Sequence, residues 1–509
     1  MKKVVLSAAA LMLGTIAFAQ TSTQATEADL RDNPALAGVN MDYSNITTAD
    51  KLPAAAATAN RGYSEQNATI PGALNDMKAR QEGEMNSIVG FQTGAGNMVS
   101  MSQMGDVNGN QANSGESNLI YSTQIGQNND GRLEQQGDLN EIILEQNNDN
   151  PPFATGGSIG NRADVQQGNN GNAEKNFAAV QQYGDDNSTR VLQSWDNSDA
   201  FVLQLGAGNA VEINQLADPE NSQGHEALVE QYGENNQALV NQLADGKKGR
   251  NYARAFAYGD NNKSEQTQTT DSNTSGNVAL VNQGVDTNST PVLFNTAEYA
   301  VVTSVGAVMN GTPNTQSDYS EAIQEQAGHD NVAESHQFGA GTSTLNGDYT
   351  SQTQDGVGNE AYAFQNAYGS SNGRGNSLQT DQTGDGNYVA TGQNGRNQDI
   401  TVSQDGDDNY SVSTQRGNGH VADIRQMGDM NAAETAQYGV GNSIVISQDG
   451  GHSWKAEQDV PGASPNGGNS LDVIQVGPST LLNSGLQTPA GVTRVGLTAP
   501  AQARNAGSL

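Results

Sequence analysis

Between Gln437 and Gln448 the chain reads Gln-Tyr-Gly-Val-Gly-Asn-Ser-Ile-Val-Ile-Ser-Gln. Its alternate residues Asn442, Ile444, Ile446 and Gln448 share one face of an extended strand, because strand side chains have period two. The same face recurs as Asn209, Val211, Ile213 and Gln215, and as Asn140, Ile142, Leu144 and Gln146. The two middle positions are apolar or small, and the outward positions read as polar or charged. Each copy therefore predicts one strand of about seven residues with a thin apolar centre. The link from glutamine to asparagine, as in Tyr-Gly-Val-Gly, Tyr-Gly-Asp-Asp or Met-Gly-Asp-Met, is a tight turn. Glycine, asparagine and aspartate tolerate the positive φ that such turns demand.

The period is eleven. Gln382, Gln393, Gln404, Gln415, Gln426, Gln437 and Gln448 stand in one register. Two places after each comes a glycine: Gly384, Gly395, Gly406, Gly417, Gly428, Gly439 and Gly450. The turn ends on asparagine at Asn387, Asn409, Asn431 and Asn442. Shorter blocks share the register, among them Gln81 to Gln103, Gln124 to Gln146 and Gln182 to Gln215, where Trp195 takes the place of one glycine. Two units make one strand–turn–strand rung. A single rung cannot bury its inner face, so rungs stack about 4.8 Å apart into a slot between two sheets. A buried amide needs partners for donor and acceptor alike. Identical amides stacked rung on rung supply them to one another, which predicts a glutamine ladder and an asparagine ladder. The expected fold is all-β: a β-solenoid of strand–turn–strand rungs with two parallel sheets and flexible terminal segments.

Composition changes this picture in three ways. Leu, Ile, Val and Phe are few and the formal net charge is −33, which alone would place the chain among disordered proteins. Only 13 of the 509 residues are proline, against 60 glycines, so turns rather than linkers fit. No cysteine is present, so stability cannot come from disulfides or thiolate metal sites. At the N-terminus, Lys2 and Lys3, the apolar run from Val4 to Phe18 and the small-x-small end Ala17-Phe18-Ala19 read as a signal peptide over 1–19. The strong negative charge argues against nucleic acid or an anionic membrane as partner.

The unit Gln326-Ala-Gly328-His-Asp-Asn331-Val-Ala333-Glu-Ser-His-Gln337 resembles the curlin repeat of bacterial curli fibres at every fixed position. The resemblance spans roughly residues 81–477. It implies a curlin-like β-solenoid secreted unfolded through an outer-membrane pore. It implies polymerisation into an extracellular functional amyloid fibre that serves adhesion and biofilm matrix. Partners would be the chain itself, head to tail, related subunits or a nucleator, and the pore. This chain is longer than typical curlins and carries candidate insertions at 106–123, 147–165, 216–230, 285–318, 338–353 and 366–381. Residues 20–80 are expected to be a flexible leader that addresses the pore. Residues 81–477 would form the solenoid, and 478–509 a tail or cap.

No residue pattern points to catalysis or a cofactor. Gly369-Ser-Ser371-Asn-Gly373 matches the nucleophile-elbow spacing but lies in an insertion without the strand-to-helix context. Asp405, Asp407 and Asn409 imitate the start of a calcium loop, yet Tyr410 and Arg416 stand where its glycine and bidentate glutamate belong. Asp185-Asp186, Asp407-Asp408 and Asp429 are expected on exposed turns as solubilising charges. The alternative reading is a capped solenoid adhesin, with or without calcium. The five histidines have no visible metal-ligand pattern; His329 and His336 fall within one unit.

Overall fold

The computed structural model describes residues 60–69, 74–83, 85–104, 118–147, 160–168, 173–217, 224–244, 246–247, 249–284, 317–338, 347–366, 375–459 and 467–476. The proposed signal peptide, the tail and the elbow-like Gly369–Gly373 stretch lie outside them. Among the described residues every regular element is a strand, and all strand pairing is parallel. The chain divides into two compact units at Asn251 and Tyr252.

Each unit is a two-sheet β-solenoid, and successive strands go to alternate sheets. In the first unit, the first sheet runs from Arg61–Ala68 to Glu226–Glu234 and the second from Asp76–Glu82 to Gln237–Leu243. In the second unit, the first sheet runs from Tyr252–Tyr258 to Ser453–Gln458 and the second from Lys263–Thr269 to Ser470–Val476. Pairing joins equivalent positions one full rung apart: Gln382 with Gln404, Ile400 with Ala422, Gln393 with Gln415. A slip by one residue would turn every core side chain to the opposite face, so the alternation fixes the register.

The slot between the sheets is filled unequally. In the second unit, the second sheet supplies Leu378, Ile400, Ile424 and Ile446, while the first supplies Ala363, Val389, Ala433 and Ala456. Large side chains on one wall pack against small ones on the other, which keeps the slot filled although the apolar content is low.

Three sequence expectations need correction. Strands Arg61–Ala68 and Asp76–Glu82 lie inside the segment expected to be a leader. The candidate insertions were drawn too long: Leu119–Gln127, Arg162–Gln167, Glu226–Glu234, Tyr349–Val357 and Ser377–Thr383 begin or lie within them. Arg61–Ala68 and Arg162–Gln167 carry Gln66 and Gln167, each fifteen residues ahead of the next register glutamine and so outside the eleven-residue count; the other five strands share one cause. Counting from one glutamine to the next credits each strand to the glutamine before it, so the strand leading into the first glutamine of a block is lost. The third correction concerns the outward positions. On the second sheet they are mostly polar, as with Ser377, Gln379 and Asp381, with exposed apolar residues such as Val421 and Val445 among them, but on the first sheet they include Phe177, Phe201, Leu228, Leu280, Phe338 and Val412, all buried. An eleven-residue register overlays two strands with different outer faces; only the two-strand rung separates them.

Truncating a wall residue should cost far more than truncating an outward one. Ile424→Ala is expected to lose about 3 kcal/mol of unfolding free energy, whereas Val421→Ala, on an exposed position, should stay within about 0.5 kcal/mol. Urea unfolding followed by circular dichroism checks the difference.

Candidate functional site

The structural elements with a chemical task here are the stacked amides. Each register glutamine stands in the C-terminal half of its strand, toward the corner where the chain turns to the other sheet. Its position lets one amide serve three neighbours. Gln404 donates Nε2–H to Gln426 Oε1 at 2.8 Å and to the Tyr388 carbonyl, in the opposite sheet, at 3.1 Å. Gln426 repeats this toward Gln448 and Tyr410, at 2.9 and 3.0 Å. Gln415 does so toward Gln437 and Asp399, both at 2.9 Å. The amide thus binds rung to rung and sheet to sheet together.

The seven glutamines do not form one ladder. Gln382, Gln404, Gln426 and Gln448 lie in the second sheet, and Gln393, Gln415 and Gln437 in the first. Insertions do not interrupt the ladders: Gln283 reaches Gln337 at 3.0 Å although 54 residues separate them. The first unit carries the same chain of contacts from Gln92 through Gln124, Gln146, Gln182 and Gln204 to Gln231.

The asparagines act differently. Their Oδ1 accepts the backbone N–H of the asparagine one rung on, as from Asn409 to Asn387 and from Asn431 to Asn409, both at 3.0 Å. Their Nδ2 donates into the turn, as from Asn387 to the Gly406 carbonyl at 2.7 Å, and in several rungs also to the preceding asparagine Oδ1, as from Asn431 to Asn409 at 3.0 Å. Asn387, Asn409 and Asn431 share one column; Asn442 belongs to the other, with Asn376 and Asn469.

The turn glycines Gly384, Gly395, Gly406, Gly417, Gly428, Gly439 and Gly450 all have positive φ, between 73° and 140°. At Gly395 and Gly417 a Cβ would also come within 1.8 and 1.9 Å of the carbonyl oxygen of the next rung's glycine. Only a residue without Cβ lets the rungs close to strand spacing there. Asp385, Asp407 and Asp429 stack too: Asp407 Oδ1 accepts the Asp385 N–H at 2.9 Å, and Asp429 Oδ1 the Asp407 N–H at 3.0 Å. Asp407 and Asp429, expected from sequence on exposed turns as solubilising charges, thus tie turns together with Asp385.

Sequence reasoning also missed the histidines. His225, His420 and His452 occupy the asparagine place of their units. His225 Nδ1 accepts the Asn251 N–H and His420 Nδ1 the Asn442 N–H, both at 3.2 Å, so each ring stands in for an asparagine Oδ1. His420 Nε2–H donates to the Arg416 carbonyl at 3.1 Å. Both rings must be neutral to accept. Burial holds both below the ordinary histidine range, and His225 is pushed down to about 3, with the Arg250 charge adding to the effect. Their place in the eleven-residue register was the available signal. Among the described residues no group of three or more His, Asp or Glu side chains is arranged to hold a metal ion.

The fold and its ladders define a class: parallel two-sheet β-solenoids held by buried side-chain amides. The family model described as the curlin associated repeat matches residues 373–406, which contain Gln382, Gln393 and Gln404. Over these residues the chain carries a curlin-type repeat. None of the curated proteins compared matches it.

Two outcomes are expected. Gln426→Leu removes the acceptor of Gln404 and the donor to Gln448 Oε1 and the Tyr410 carbonyl, so urea unfolding should show a loss of about 2–3 kcal/mol. For pH, the neutral His225 of the folded chain resists a proton that the unfolded chain accepts below about 6.5. Its contribution is fully present above that pH and falls as pH drops toward 3, by about 1.4 kcal/mol per unit. Between pH 7 and pH 5 the His225→Asn variant should therefore lose less stability than the wild type, by about 2 kcal/mol, in paired urea titrations.

Proposed function

We propose that this chain is a structural subunit of an extracellular curli-like functional amyloid fibre that serves cell adhesion and biofilm matrix formation. The curlin repeat and the β-solenoid fold support a fibre role in general. The observation that carries the assembly reading is the polarity of the glutamine ladders. Each glutamine-to-glutamine bond of the described ladders donates Nε2–H toward the C-terminal side, with Ala257 interrupting the first-sheet column, and the second bond to a backbone carbonyl fixes which amide atom is which.

The outermost strands keep the pattern. Gln66 and Gln81 donate to Gln92 and Gln103, and no described residue donates to their Oε1 atoms. Gln458 and Gln475 accept from Gln437 and Gln448, and donate to no further glutamine among the described residues. One set of edge strands offers acceptors and the other offers donors, in register with unpaired backbone groups. Copies that meet head to tail would continue both ladders, and a heterologous contact of this kind repeats without closing into a ring.

On this reading the chain is exported through an outer-membrane pore and works at the cell surface. Its partners are further copies and related curlin-like subunits or a nucleator. The reading requires neither catalysis nor a cofactor.

The test is negative-stain electron microscopy of purified mature chain, diluted from denaturant into buffer without calcium. Unbranched fibres that lengthen with time are expected. Short rods of uniform length would refute assembly and favour a capped adhesin.

A further inference from the structure

One inner column of the first sheets ends differently at its two edges. Four residues before the register glutamine (Ala257 in one strand), the interior strands of these sheets carry Ala, Val, Ile or Ser. The edge strand Arg61–Ala68 carries Gly62 there, and the edge strand Ser453–Gln458 carries Trp454. The smallest and the largest side chains of the column thus stand at opposite edges. Gly62 is exposed in an extended strand, and a Cβ at that place would meet nothing closer than the Ile88 carbonyl oxygen at 3.8 Å. Strand geometry therefore does not call for glycine, and the room is open. Trp454 and Leu471 pack against the core of the second unit but stay partly exposed, whereas interior wall residues such as Val389 and Ile400 are fully buried. The C-terminal edge presents bulk, and the N-terminal edge presents space.

A joint that continues both glutamine ladders has one register: Gln458 meets Gln66 of the next copy, and Gln475 meets its Gln81. The pairing within each sheet then sets the remaining contacts. Trp454 falls opposite Gly62 and Ala456 opposite Ser64. In the second sheet Leu471 falls opposite Met77 and Val473 opposite Ala79. Outside, Asp472 faces Lys78, which its own strand holds through Asp76 at 2.9 Å. Ile474, 71% exposed, lies where the Arg80 stem can cover it. Opposite charges set directly across a strand pair stabilise it, and like charges do the reverse. Glu457 facing Glu65 is the one like-charge contact, and Lys455, 3.5 Å from Glu457, offsets it.

Both ladders would also continue if the incoming copy were rotated by half a turn, first sheet on second. Trp454 would then meet Met77, whose Sδ already fills the space over Gly90, 2.6 Å from where a Cβ there would stand. Lys455 would meet Lys78. That setting crowds the slot and opposes two cations.

We propose that the chain keys its own assembly: Trp454 of one copy seats over Gly62 of the next, and Asp472 faces its Lys78, so that copies add in a single rotational setting. The inference rests on the fibre reading above and adds to it the residues by which one copy selects another.

The chain lacks cysteine, so introduced thiols report the joint without background. Copies with Asp472→Cys are mixed with copies with Lys78→Cys, grown into fibres under reducing conditions and then oxidised. Covalent dimers should form about tenfold more readily than from Lys455→Cys mixed with Lys78→Cys, the pair that meets in the half-turn setting. Separately, Gly62→Trp should slow elongation about tenfold, and Trp454→Gly in the same chain should restore most of the rate. Circular dichroism checks that these variants keep their strands, and the cross-linking comparison stands if they do not. Equal or reversed cross-linking would overturn the keyed joint while leaving the fibre reading intact. So would folded Gly62→Trp chains that elongate at the wild-type rate. A wild-type chain that forms no fibres would overturn both.

Discussion

A primary amide taken out of water must replace two donor bonds and two acceptor bonds, and no single neighbour can do so. The register glutamines use both donors and one acceptor site when an identical amide lies on each neighbouring rung and a backbone carbonyl of the other sheet lies at the corner. The requirement couples the two sheets, sets the rung spacing and rejects slipped registers. Hydrogen bonds in such a chain polarise one another, so the column is stiffer than its pairs taken singly. The chain has few large apolar residues, and directional bonds replace the hydrophobic bulk that a thicker core would provide.

The rest of the repeat follows from keeping that column closed. Glycines at Gly395 and Gly417 allow backbones to approach where any side chain would collide with the next carbonyl. Asparagine Oδ1 holds the first N–H of the next rung, and aspartates such as Asp407 bind the turns above. Histidine can replace asparagine in this task only while its ring is neutral, so His225 and His420 make part of the stack sensitive to acid. The ladders also have direction. Acceptors lie toward the N-terminal edge of the described strands and donors toward the C-terminal edge.

The two outer faces divide other tasks. The second sheet shows charged and polar side chains to solvent, including the exposed pairs Arg190–Glu212 and Lys263–Glu321. Such pairs contribute little stability and chiefly keep the face wet. The first sheet presents Phe, Tyr, Leu and Val outward and has them covered.

By itself the sequence determined the strand, the turn, the eleven-residue unit and the face that carries Gln382, Ile400 and Ile446, because period-two alternation and positive-φ turn residues are local properties of the chain. The kinship with curlin repeats was legible for the same reason. What only the tertiary structure decided depends on which strand lies beside which. Pairing at a full rung, Gln382 with Gln404 rather than with Gln393, split one apparent ladder into two. It separated a small-residue wall from a large-residue wall, and an apolar outer face from a polar one. It drew Arg61–Ala68 into the sheet and placed His225 and His420 in the asparagine columns. These facts concern contacts between residues far apart in the chain, and a periodic pattern averages over them.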